Sequence, residues 1–177
     1  MKTSAILRTE LFYKKKTMTK ARTKQRIVQY PFERLYVSPF TKKRGFDERH
    51  LKYKLVPMEQ ERQLTGIKLL DAVVDMLINR VEPRCAASKF GITREKLSTS
   101  VYALTGLTLV GLRKHWNMQL ANDLLRYTDL PLTEVMQRCG YTSMPTFSRT
   151  VSQWWSSSPQ AIRIGARRRG DIGKYAL

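Results

Sequence analysis

At 177 residues the chain has room for one or two compact units, and its 42% hydrophobic content can supply them with a core. The 33 lysines and arginines outnumber the 14 aspartates and glutamates, leaving a formal charge of +19 that points to a polyanionic partner, most simply nucleic acid. No apolar run approaches a membrane span, and Arg8 and Glu10 interrupt the patch Ala5 to Leu7, so neither a membrane segment nor a secretory leader is expected. Cys85 and Cys139 stand alone with no CxxC, which argues against a disulfide framework or cysteine-rich zinc site and fits a reducing cytoplasm.

Residues 1–56 hold 16 basic and 4 acidic residues, including the runs Lys14 to Lys16 and Lys42 to Arg44. Val28, Tyr30 and Phe32 alternate with Gln29 and Pro31, and Leu51, Tyr53 and Leu55 alternate with Lys52 and Lys54. That period of two predicts short, half-buried strands, the first confined to an edge by Pro31. Residues 1–57 are therefore read as a basic arm or small β-module, partly ordered, with a disordered tail as the competing reading.

From Met58 the period changes. Ile67, Leu70, Val74, Leu77 and Val81 recur at three and four and predict an amphipathic helix that stops near Pro83. A short helix to Phe90 and a glycine turn at Gly91 lead to Thr93, which caps a helix burying Leu97 and Val101 and ending at Gly106. Leu109, Leu112, Trp116, Leu120 and Leu124 mark a long helix to about Arg126. Leu132, Val135, Met136 and Cys139 then form one helical face, Gly140 turns, and Thr142 or Ser143 caps a helix with Pro145 in its first turn and Phe147, Val151 and Trp154 inward. Ser158 and Pro159 open a last helix, and the chain is expected to fray after Gly170.

The pattern from Ala87 through Gly91 and Thr93 to Val101 recurs from Met136 through Gly140 and Thr142 to Val151. Each copy is the grammar of a helix-turn-helix, and a connector of about 27 Å could hold two recognition helices nearly one duplex turn, roughly 34 Å, apart. The fold class is thus mainly α: two helix-turn-helix units, about 66–106 and 128–168, joined by a long connector inside a domain of 58–170, with a tail of 171–177.

Residues from about 66 to 167 resemble the DNA-binding domain of the AraC/XylS transcription regulators. The resemblance rests on an ordered set: Thr105-Gly106, Ala121 to Leu125, Thr128 to Leu130, Cys139 to Tyr141, Phe147 to Arg149, and Pro159 with Arg163. The first unit departs from the pattern, since Pro83 stands where the second has Leu132, so its leading helix should be short. The family's ligand-binding or dimerisation domain is not expected, because the first 60 or so residues are too few and too basic to resemble it.

The resemblance implies reading positions. In the first recognition helix these are Thr93, Arg94, Glu95, Ser98, Thr99 and Tyr102, with Glu95, Ser98 and Thr99 at base edges, Arg94 nearer phosphate and Thr93 primarily a cap. In the second they are Thr142, Ser143, Met144, Pro145, Ser148 and Arg149, of which Arg149 alone can make a bidentate contact with guanine. Arg113, Lys114, Arg163, Arg167, Arg168 and Arg169 are candidate phosphate partners.

His50 and His115 lie in no metal spacing, the three tryptophans fit core packing better than base stacking, and no catalytic site or cofactor is expected. The favoured function is a sequence-specific regulator of transcription, bacterial by resemblance and an activator rather than a repressor, binding double-stranded DNA. Its arm would touch DNA, RNA polymerase or another regulator. The rival is an architectural or plasmid-maintenance protein of low sequence preference, or a protein-interaction module built on a degenerate helix-turn-helix pair.

Overall fold

The computed structural model describes residues 29–58 and 64–177, which run through eight helices and three short strands. Helix α1 (Phe32–Leu35) precedes a hairpin of β1 (Lys42–Asp47) and β2 (Lys52–Pro57). Then come α2 (Lys68–Asn79), α3 (Pro83–Ser88), α4 (Arg94–Thr105), α5 (Leu109–Tyr127), α6 (Leu132–Arg138), α7 (Met144–Trp155) and α8 (Pro159–Arg168), followed by β3 (Tyr175–Ala176). The Lys14 to Lys16 run and Val28 lie outside the described residues.

The helices start and stop where the local chemistry directs. Thr108 Oγ1 accepts from Gly111 N at 3.1 Å to cap α5, and Ser158 Oγ accepts from Ala161 N at 3.2 Å with Pro159 at the first helical position of α8. Gly106, at φ +71°, ends α4 with its N–H on the Tyr102 carbonyl.

Helix α5 divides its apolar side between two cores. Leu109, Leu112 and Trp116 join Leu70, Val73, Leu97 and Val101 in the first. Met118, Ala121, Leu124 and Leu125 join Val135, Cys139, Phe147 and Val151 in the second. Each fully buried aliphatic or aromatic side chain contributes about 1.5–3 kcal/mol.

The segment before the hairpin departs from expectation. Tyr30 and Phe32 form no strand. The Tyr30 N–H donates to the Leu104 carbonyl at 3.1 Å, its hydroxyl donates to the Thr65 carbonyl at 3.0 Å, and Phe32 opens α1. Both rings pack on the first core, so the alternation there reflects a strap lying across helices. Leu35 is buried in the first core and Phe40 in the second, and between them the Tyr36 hydroxyl donates to Asp123 Oδ2 on α5 at 2.8 Å. Residues 30–40 are therefore part of the helical body, and a boundary near residue 57 does not separate an arm from a domain.

The hairpin does form at the second alternating stretch, pairing Lys42 with Pro57 through Asp47 with Lys52. The apolar residues on its Phe46 face are not half-buried: Phe46 is 53%, Tyr53 63% and Leu55 49% exposed. The chain after Gly170 does not fray either. Gly173 N donates to the Tyr127 carbonyl at 2.9 Å, Tyr175 and Ala176 pair with Lys43 and Lys42 to extend the sheet to the order β2-β1-β3, and the Tyr175 ring stacks on Phe40. Among the described residues, no helix is long and apolar enough to cross a membrane.

Candidate nucleic-acid interface

Two turns of the same construction present the two candidate reading helices. Gly91, at φ +60°, follows α3, and Gly140, at φ +76°, follows α6. Glycine adopts that left-handed conformation without steric cost. In both turns the next residue closes back five positions, Ile92 N on the Ala87 carbonyl at 3.2 Å and Tyr141 N on the Met136 carbonyl at 3.1 Å. The cap of α4 comes two residues after its glycine, at Thr93, and that of α7 three after, at Ser143. The leading helix of the first unit has 6 residues, as Pro83 led us to expect, but that of the second has only 7. The wear in the first unit is in sequence far more than in geometry.

On α4, Leu97 and Val101 are buried while Thr93, Arg94, Glu95, Thr99 and Tyr102 are exposed and Ser98 is half-buried. Thr93 Oγ1 accepts from Lys96 N at 3.3 Å. Hydrogen bonds from its own backbone N–H, then from the Thr93 hydroxyl, hold the Glu95 carboxyl below its usual range, so Glu95 is an anion tied to the helix start. The Thr99 hydroxyl donates to the Glu95 carbonyl at 2.9 Å. The first reading face thus offers few donors of length. Lys96, exposed in the same first turn, is a cation that motif spacing does not single out. Its charge beside the cap is the only sequence signal for it.

On α7, Thr142, Ser143, Pro145 and Arg149 are exposed and Ser148 is half-buried. Ser143 holds the cap position but makes no side-chain cap bond, leaving first-turn N–H groups free for another acceptor. Pro145 lies in the first turn, where its missing donor costs nothing. Met144 is half-buried and packs on the second core, so only part of it faces outward. Arg149 makes no ion pair with another described residue.

The expected phosphate partners divide. Arg163 is a correction: it is 5% exposed and its guanidinium donates to the Leu130 carbonyl, closing α8 on the loop before α6. Arg167 pairs with Asp129 and Arg169 with Asp171. Arg113 donates to the Val81 carbonyl at 3.1 Å, and the Lys114 ammonium lies 5.7 Å from the Trp154 ring centroid. Arg168 is exposed, with its charge uncommitted among the described residues. A set that sequence treats as equivalent contains one structural arginine, two in ion pairs and three groups still able to meet an anion.

Other chemistry is sparse. Cys85 is exposed and Cys139 buried, both as free thiols, with burial pushing Cys139 up to about 12. Among the described residues, no group of three or more metal-ligating side chains gathers. A cleft of about 180 Å³ between the two units, walled by Leu77, Arg80, Trp116, Asn117 and Leu120, is smaller than the roughly 300–1,000 Å³ of usual ligand pockets.

Residues 86–164 match the helix-turn-helix domain family. The HTH-type transcriptional activator RhaS of Enterobacter sp. (strain 638) is 28% identical over 119 residues, covering 63% of this chain and 43% of that protein. The chain thus spans less than half the length of that curated relative. Two solved structures align with this chain. The C-terminal domain of AraT, a response regulator from Geobacillus stearothermophilus, gives a TM-score of 0.49 at 22% identity, over 55% of this chain and 84% of that one. The xylose-binding transcription activator xylR gives 0.50 at 18% identity, over 65% of this chain and 32% of that one.

Proposed function

We propose that residues 86–164, which match the helix-turn-helix domain family, form an AraC/XylS-type domain, and that this chain is a sequence-specific regulator that activates transcription by reading two adjacent major-groove segments of double-stranded DNA. The observation that carries the reading is the repeated turn, Gly91 before α4 and Gly140 before α7, with each following helix packed on one of the two cores that share the 19-residue α5. At about 1.5 Å per residue α5 is roughly 28 Å long, close to one duplex turn. In α7, Arg149 is the residue for bidentate guanine contact, while Pro145 and the exposed part of Met144 meet a thymine methyl. The free first-turn N–H groups and Thr142 take phosphate, joined by Arg113, Lys114 and Arg168. The RhaS relative is an activator, which supports the direction of control.

A second reading, an architectural protein of low sequence preference, is favoured by one feature. In α4 the Glu95 carboxylate and the Thr99 hydroxyl are both committed to their own helix, so the first unit would grip backbone more than bases. Selection from randomised duplex DNA at physiological salt separates the two. Two enriched boxes about one helical turn apart are expected if both units read, and one box if α4 only grips. Tight binding without enrichment would establish the architectural reading.

A further inference from the structure

The β1–β2 hairpin has a face that nothing among the described residues covers. The register places Lys42, Arg44 and Phe46 of β1 on one side of the ribbon, directly opposite Pro57, Leu55 and Tyr53. Phe46 and Tyr53 meet edge to face at 5.2 Å between centroids, and the Arg44 guanidinium lies 4.8 Å from the centre of the Tyr53 ring. A stacked guanidinium keeps its N–H edge free for an acceptor.

The charge of the hairpin specifies the partner. Residues 42–57 contain six basic and two acidic residues, and the carboxylate of Asp47 is already met by Lys54 at 2.8 Å and by His50 at 3.0 Å. A wholly apolar partner would gain nothing from Lys42 and Arg44 on the same face as the rings. A polyanion would gain from both.

The anchorage of the hairpin specifies which polyanion. Thr41 N donates to the Ala176 carbonyl at 2.9 Å and Arg44 N to the Lys174 carbonyl at 2.7 Å. Phe40 packs against Tyr127 at the end of α5 and against Tyr175. The ribbon is thereby fixed to the same core that seats Phe147 and Val151 of α7, so a duplex held by α7 is a polyanion bound by the unit that carries the ribbon.

We propose that this hairpin is a third DNA contact, a basic ribbon on duplex flanking the box read by α7, with Lys42 and Arg44 on phosphates and Phe46 and Tyr53 against the sugar edges. The proposal rests on the DNA-binding reading above. Two-stranded ribbons fit duplex grooves, and phosphate contacts add affinity without sequence preference.

The test compares the full-length parent with two variants, Lys42→Gln/Arg44→Gln and Phe46→Ser/Tyr53→Ser, each checked for folding by circular dichroism. Two duplexes carry the selected boxes. One is trimmed to them, and the other extends about one helical turn, roughly 10 bp, beyond the α7 box. The parent should bind the extended duplex about tenfold more tightly at near-physiological salt. The charge variant should lose that preference, and its slope of log K against log salt should fall by about 0.9 for each phosphate given up. The aromatic variant should lose part of the preference with the slope unchanged. All three proteins should bind the trimmed duplex alike.

A charge variant indistinguishable from the parent on the extended duplex would overturn the proposal. So would variants that keep full DNA affinity but lose self-association in sedimentation or binding to phosphatidylserine vesicles, which would give the face to a second copy or to a membrane. Failure of the parent on both duplexes would remove the DNA-binding reading itself and this proposal with it.

Discussion

Replacing Asp123 with asparagine should stabilise this protein, and only above mildly acidic pH. Asp123 lies on α5 beneath the strap and is 8% exposed. It accepts from the Tyr36 hydroxyl at 2.8 Å and from Gln119 Nε2 at 3.1 Å, and Arg126 adds a favourable charge. Burial outweighs all three and pushes the carboxyl from 3.8 up to about 6. The folded state therefore holds this proton more tightly than the unfolded chain does. The corresponding stability is present in full below about pH 3.8 and is lost as pH rises through about 6. The gap amounts to about 3 kcal/mol at neutral pH. Asparagine keeps an oxygen for Tyr36, and Gln119 can rotate its amide to accept from the new one. In urea unfolding, Asp123→Asn should exceed the parent by about 2–3 kcal/mol near pH 7.5, with the difference shrinking toward zero near pH 4. A difference that does not change with pH, or a variant less stable at pH 7.5, would refute the claim that desolvation dominates this carboxyl.

Other substitutions test separate parts of the argument. Ser156 ends α7 at φ +53°, a left-handed position held by a side chain with a Cβ, so Ser156→Gly should add about 1 kcal/mol and raise Tm by roughly 2–4 °C in calorimetry. Arg163→Ala should destabilise the fold by about 1–3 kcal/mol by leaving the Leu130 carbonyl without its donor, while the salt dependence of DNA binding stays that of the parent; a flatter slope would return Arg163 to the phosphate contacts. Arg149→Ala should cost about 1–3 kcal/mol of discrimination at one base pair of the second box, read by competition between matched and mismatched duplexes. Phe40→Ala should cost about 3–5 kcal/mol in urea unfolding, because the ring fills the second core between Tyr127 and Tyr175.

The paired helix-turn-helix architecture is legible in the sequence because each of its parts is local. The turn glycines Gly91 and Gly140, the caps Thr93 and Ser158, and the apolar spacings of Leu97 with Val101 and Phe147 with Val151 all act within a few residues of themselves. The faces of α4 and α7 follow from the same periodicity, so the exposure of Arg94, Thr99 and Arg149 could be read in advance. Periodicity, however, cannot tell a strap from a strand. Tyr30 and Phe32 alternate as strand residues would, yet their backbone and ring partners are Leu104 and the first core.

What only the tertiary structure decided are the contacts between distant positions. Tyr36 meets Asp123 across 87 residues and Arg163 meets Leu130 across 33. The last strand pairs with one that begins at Lys42. In composition Arg163 is one more cation of a +19 chain, and only its burial separates it from Arg168. The sequence by itself determined two helix-turn-helix pairs, their caps and the helix that joins them, because hydrogen bonds and apolar periods along a helix are set by near neighbours. Which charges face a duplex, which carboxyl is stripped of water and what becomes of the basic hairpin depend on surfaces that meet only when the chain has folded.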